Sequence, residues 1–238
     1  MQLCSIVPLN NLDVVNNRKY NMLLAHLCKS KKYIEWAKDL KGYKIMDNSI
    51  IELGESFSFE DLIDCATECN VDEIVLPDVF KDPKKTIELV KSNIIRYKSM
   101  NPKKKFKLMA VCHGKNVDEF KECFKELSQI DEIQVIGIPK VVTTWCGDRS
   151  KLFDIFSNTN KEIHLLGCWK SFKELKSFSK KMKDRIRTID TCLPALLSLE
   201  TDDEFQDRNL NKTIDFENDI INKDNYMKIV SKIDNLLE

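Results

Sequence analysis

Seven short apolar runs, separated by longer amphipathic stretches, constrain what this chain can fold into more than any other feature. They are CSIVPL (4–9), YKIMDNS (43–49), EIVLPDV (73–79), FKLMAVCHG (106–114), EIQVIGIP (132–139), EIHLLGC (162–168) and IRTIDT (186–191). Ile, Val and Leu occupy successive rather than alternating positions, as in strands buried on both faces of a parallel sheet. Helical periodicity fills the intervals at Tyr20–Lys38, Ser58–Cys69, Pro83–Met100, Val117–Leu127, Ser171–Met182 and Asn225–Leu237. Ser58 and Asp61 fit a loose capping box, and Pro83 suits a first helical turn. Leu193–Leu199 reads as a short helix, 201–212 as a polar loop, and Thr213–Phe216 as an eighth strand. Strands alternating with helices define the α/β class. With eight strands the chain closes as a compact TIM-type (β/α)8 barrel, a single domain over residues 1–238. An open doubly wound sheet is the alternative.

The length of 238 residues buries a sizeable core without disulfides. Formal net charge is zero, so no global field draws the chain to a polyanion. Lysine runs at Lys29–Lys32, Lys84–Lys85, 103–105 and Lys180–Lys183 are either local basic patches or solvated helix ends. The nine cysteines include no CxxC pair, which fits reduced thiols in a cytoplasmic protein. The first residues carry no basic start, and no stretch approaches about 18 apolar residues. Neither a signal peptide nor a membrane span is therefore expected.

Polar residues gather where the strands end: Asp47-Asn48-Ser49, Pro77-Asp78, Cys112-His113-Gly114, Gly137 to Lys140, Gly167-Cys168 and Asp190-Thr191-Cys192. In a barrel these ends share one mouth, where barrel enzymes do their chemistry. A single Asp after a strand often caps the next helix. Three Asp and one His on four strand ends point instead to a site. The chain has no HxH, HExxH, zinc-spaced cysteines, G-x-S-x-G or Walker loop, so neither a metal nor a nucleotide cofactor is expected. Carboxylate pairs suit glycosyl chemistry, in which one attacks the anomeric carbon and another manages the proton.

The ordered set resembles the tRNA-guanine transglycosylase superfamily, most closely its short phage-type relatives that modify DNA. Met46 to Glu52 is similar to the family's D-S-G-G-F-Q or D-N-G-A-F-E segment, and Val75-Leu76-Pro77-Asp78 falls where it carries a purine-recognising Asp. Leu108 to Lys115 is similar to the V-Q-G segment that contacts the base. Val135 to Ile138 matches the glycine strand, His164 to Gly167 resembles Y-L-M-G, and Ile189 to Pro194 resembles F-D-C-V-L-P. The resemblance implies that Asp190 is the nucleophile on C1′ and Asp47 the general base that removes the N9 proton of the entering base. Asp78 would accept from the purine N1–H and amino group. His113 and Gly114 would contact the base, and Gly137, Leu166 and Gly167 would shape its pocket. The partners implied are DNA with a flipped-out guanine and a free 7-deazaguanine base, in a host cytoplasm, with no cofactor.

Three departures matter. His113 stands where the family has Gln, and it can donate to the purine carbonyl only if suitably protonated. Ser49-Ile50 replaces a glycine pair and narrows the loop beside Asp47. The zinc-binding C-x-C-x-x-C…H segment of the tRNA enzymes is missing after Asp190, which favours DNA over tRNA. The alternatives are the same exchange on tRNA, a non-catalytic nucleic-acid-binding subunit of this fold, and an unrelated barrel lyase or aldolase using Lys140. Among other residues, Trp145 and Trp169 are candidates for stacking on a flipped base. Arg149 and Arg208 are phosphate ligands or plain surface arginines. His26 reads as a satisfied, partly buried histidine, His164 as structural, and Trp36 as helix packing.

Overall fold

The computed structural model describes residues 1–15, 18–102, 104–168, 172–199 and 213–238. Eight strands form one sheet: β1 (Gln2–Ser5), β2 (Tyr20–Leu24), β3 (Tyr43–Asp47), β4 (Glu73–Val75), β5 (Lys107–Val111), β6 (Val135–Pro139), β7 (Glu162–Leu166) and β8 (Thr188–Thr191). Every hydrogen-bonded pair is parallel, in the order β1-β8-β7-β6-β5-β4-β3-β2. The two end strands, β1 and β2, lie against each other without ladder hydrogen bonds, so the sheet curls into a nearly closed TIM-type barrel. β4, β6 and β8 are buried along their whole length, which is why their sequences are continuously apolar.

The helices are α1 (Lys31–Asp39), α2 (Ile50–Leu53), α3 (Phe59–Glu68), α4 (Pro83–Met100), α5 (Val117–Ser128), α6 (Thr143–Cys146), α7 (Phe153–Phe156), α8 (Lys173–Ser177), α9 (Lys180–Arg185), α10 (Leu193–Leu197) and α11 (Lys223–Leu237). Their starts follow the capping chemistry. Ser58 Oγ accepts from Asp61 N at 3.2 Å, and Asp82, just before Pro83, accepts from Lys85 N at 3.1 Å. No helix among the described residues is long and apolar enough to cross a membrane.

Three expectations about elements need correction. Tyr20–Lys38 is not one helix: Tyr20–Leu24 is β2, Ala25–Lys29 is a 3-10 turn, and Ser30 opens α1. Its buried run pairs with β3 in register, and tertiary pairing overrides the helical reading of an apolar stretch. Thr213–Phe216 is irregular, and the eighth strand is β2 instead. The 171–182 pattern is split at Phe178 and Ser179 into α8 and α9.

The N-terminal end of the barrel is plugged by charge. Arg187 forms ion pairs of 2.8 Å with Glu73 and 2.5 Å with Glu162. The Tyr43 hydroxyl donates to Glu73 at 3.0 Å, and the guanidinium stacks over the Tyr20 and Tyr43 rings. The opposite end remains open.

Candidate active site

The C-terminal strand ends surround a cavity of about 570 Å³, the size of a small-molecule site. Asp47, Asp78, His113, Leu166, Gly167 and Asp190 all line it, as do the apolar Ile6, Leu24, Val75 and Val111. β3, β5, β7 and β8, with the segment after β4, thus deliver the expected groups to one place. Gly114 and Gly137 sit behind the wall. The Gly114 carbonyl accepts from Trp145 Nε1 at 2.8 Å, and a Cβ there would fall 2.6 Å from the Phe120 backbone nitrogen. A Cβ on Gly137 would fall 2.8 Å from Leu166 Cδ1. Gly114 therefore lets α5 approach, and Gly137 makes room for Leu166.

The carboxylates differ in their surroundings. Asp47 Oδ2 accepts from the Ser49 backbone at 2.8 Å. Ser49 adopts a left-handed φ of 56°, and its hydroxyl bonds His26 Nδ1 at 2.9 Å. Burial, then the charge of Glu52 and of Asp190, pushes the Asp47 carboxyl well above its ordinary range. Glu52, on α2, stands at the water-accessible mouth, yet the surrounding wall desolvates it enough to raise its carboxyl, with the Asp190 charge adding to this. Asp190 Oδ1 accepts from His164 Nε2 at 2.9 Å and from the Gly167 backbone at 3.1 Å.

Two thiols flank Asp190 in the wall. Burial pushes Cys168 up to about 11, and burial together with the Asp190 charge pushes Cys192 up to about 12. Both stay protonated at neutral pH and offer no competing anionic nucleophile.

On the other side of the cavity, Asp78 is held by two side chains. Asn48 Nδ2 donates to its Oδ1 at 2.6 Å, and His113 Nε2 pairs with its Oδ2 at 2.5 Å. His113 Nδ1 is buried and has no partner among the described residues. Ser56 fixes the Asp78 backbone, its hydroxyl accepting from the amide at 3.0 Å and donating to the carbonyl at 2.7 Å.

Several candidate residues take other roles. Arg149 is neither exposed nor a phosphate ligand. It is fully buried, bonded to Glu174 at 2.9 and 3.0 Å, and donates to the carbonyls of Ile138, Leu166 and Gly167. It braces the ends of β6 and β7 beside the cavity. Trp145 is not in the wall; its ring packs on Phe120. Trp169, Arg208 and Lys103 lie outside the described residues. Lys140 lines the cavity, and its ammonium is ion-paired with Glu174. Each lysine run has a member paired to an acid: Lys29 with Glu217, Lys85 with Asp82, Lys104 with Asp72 and Lys180 with Asp184.

Glu52, Asn48 and the partnership of His164 with Asp190 were not singled out from sequence. Glu52 carried one signal, its place five residues after Asp47. His164 carried a weaker one, being a histidine inside an otherwise apolar strand.

Fold and site together define an α/β barrel with a carboxylate-bearing, largely apolar cavity at its C-terminal mouth. No family model and no curated protein matches the chain. Among solved structures it is similar to a dipeptide epimerase from Methylococcus capsulatus complexed with Mg ion, at 12% identity and a TM-score of 0.47. That match covers 80% of this chain and only 55% of the epimerase. It is also similar to the homocysteine methyltransferase MmuM from Escherichia coli in its metallated form, at 10% identity and a TM-score of 0.46 over 77% of each chain. At these identities the likeness concerns the fold alone.

Proposed function

We propose that this protein is a guanine transglycosylase that exchanges guanine in DNA for a 7-deazaguanine base through a glycosyl ester on Asp190. The observation that carries the reading is the convergence of Asp47, Asp78, His113 and Asp190, from four strand ends, on one cavity. In the first displacement Asp190 forms a bond to C1′ as the C1′–N9 bond breaks, and the electron pair leaves with guanine. Asp47, whose carboxyl is pushed toward its protonated form by burial and by the charges of Glu52 and Asp190, supplies the proton the departing base needs. The resulting carboxylate then takes the N9 proton of the entering base. That base attacks C1′ and releases Asp190, so protons and charge balance over the cycle.

Asp78 suits purine recognition. Each of its oxygens accepts one hydrogen bond from the protein and keeps a second lone pair for the N1–H and amino donors of the base. His113 Nδ1 has no partner among the described residues and is left for a contact to the purine. Ile51 and Phe80 are exposed apolar residues on the cavity rim and suit contact with an extruded nucleotide. The left-handed φ at Ser49 also fits the resemblance, because glycine, which the family carries there, adopts that conformation freely.

The test is denaturing electrophoresis of the protein with labelled DNA, with and without an entering 7-deazaguanine base, alongside nucleoside analysis of the DNA. A covalent band and base exchange are expected with the unaltered protein and lost in Asp190→Asn. Undiminished exchange in Asp190→Asn, or exchange on tRNA with none on DNA at matched salt, overturns the proposal.

A further inference from the structure

We propose that His164 is the positioning residue that fixes Asp190, through a chain of hydrogen bonds crossing the barrel interior from Arg187. What Asp190 attacks rests on the transglycosylase reading; how it is held does not. Arg187 Nε donates to Thr188 Oγ1 at 3.3 Å. Thr188 Oγ1 lies 2.7 Å from His164 Nδ1, and His164 Nε2 lies 2.9 Å from Asp190 Oδ1. His164 and Thr188 are register partners on β7 and β8, and both are fully buried.

The direction of the chain follows from its first member. A guanidinium has donors only, so the Thr188 oxygen accepts from Arg187; its own hydroxyl proton meets no acceptor other than His164 Nδ1 among the described residues and is therefore turned to it. Nδ1 then acts as acceptor, which puts the imidazole proton on Nε2, facing Asp190. Arg187 cannot relax out of this role, because Glu73 and Glu162 hold it at the closed end of the barrel. The Gly167 backbone N–H meets the same carboxylate oxygen at 3.1 Å. Asp190 Oδ1 therefore has two donors from β7 and the residue after it, while Oδ2 takes no hydrogen bond among the described residues. A carboxylate clamped on one oxygen cannot turn freely about its Cβ–Cγ bond. The other oxygen is presented to the cavity in one orientation, as a nucleophile must be. His164 does not itself line the cavity, so its effect passes entirely through Asp190.

The test combines a spectroscopic arm that needs no substrate with a kinetic arm. In the first, 15N NMR of the His164 imidazole is compared between the unaltered protein, Asp190→Asn and Thr188→Val. The proton is expected on Nε2, with the resonances moved by both substitutions. A proton on Nδ1, or resonances unmoved by Asp190→Asn, overturns the inference whatever the substrate. In the second, His164→Phe should slow adduct formation on DNA on the order of 100-fold, with KM for the entering base unchanged. His164→Gln keeps an N–H donor and should recover much of that rate. Equal losses in both variants with KM rising in step indicate a merely structural histidine and overturn the inference. If the unaltered protein exchanges no base on DNA or tRNA while the NMR result holds, the transglycosylase reading fails and the positioning of Asp190 stands.

Discussion

Glu174→Gln should be among the most destabilising single changes in this chain, although Glu174 lies outside the cavity. Its side chain is 6% exposed and faces two cations, Arg149, which is 0% exposed, and Lys140. Burial pushes the carboxyl up, but the Arg149 guanidinium and the Lys140 ammonium together outweigh burial and hold it at about 2. Against the ordinary value of 4.5, that difference corresponds to about 3 kcal/mol of stability. A second route gives a similar figure: removing one partner of a buried ion pair costs roughly 3–5 kcal/mol, because the remaining charge is left in the interior. The sign follows from the depressed carboxyl. Its contribution is complete above 4.5 and is lost as pH falls toward about 2. Urea denaturation of the variant near neutral pH should therefore show a loss of about 3 kcal/mol, and calorimetry a Tm lower by roughly 10 °C. The gap to the unaltered protein should close on acidification. A variant within about 1 kcal/mol near neutral pH, or a gap that widens in acid, refutes the reasoning.

Two further perturbations bear on the cavity. Asp47→Asn should raise thermal stability while it slows base exchange. The raised Asp47 carboxyl favours folding in its protonated form and loses that contribution as pH rises through its folded value, so the gain in Tm should grow with pH; a variant less stable than the unaltered protein at alkaline pH contradicts this. Gly137→Ala places a methyl 2.8 Å from Leu166 Cδ1 and 3.1 Å from Met109 Sδ, so Leu166 must swing into the cavity. It should cost about 1–3 kcal/mol and raise KM for the entering base, both read from denaturation and steady-state kinetics, and an unchanged KM would show that Leu166 does not border the base.

The strand ends were legible because the fold makes them so. Asp47, Asp78, His113 and Asp190 each follow a run of successive apolar residues, and a parallel barrel sends every such end to the same mouth. β2 was not legible. Tyr20–Leu24 runs into His26, Leu27 and Cys28 without Gly or Pro, and an apolar run of that length does not distinguish strand from helix. Arg149 illustrates a different limit. Its burial depends on Glu174, 25 residues away on another element, so nothing in its local sequence separates a clamp on three carbonyls from a surface arginine. Glu52 and His164 were missed for the same reason. His164 meets Asp190 only when β7 pairs with β8, and the Glu52 carboxyl, close to Asp47 in sequence, is raised only once the folded wall desolvates it.

The division of labour proposed for Asp47 and Asp190 follows from their neighbours more than from their shared residue type. Both end parallel strands, and both reach the same cavity. Asp47 has one backbone donor and shares its space with Glu52, whose charge, after burial, is the largest influence keeping a proton on it. Asp190 has two N–H donors on one oxygen, and the Cys168 and Cys192 thiols flank it in the wall. A carboxyl crowded by another acid suits proton transfer, and a carboxylate clamped by donors suits attack on carbon. Exchanging the two roles would require moving the His164–Thr188 pair beside Asp47. That pair sits on β7 and β8, apart from β3 in the strand order, so the proposed assignment depends on strand order and not on the local motif around either aspartate.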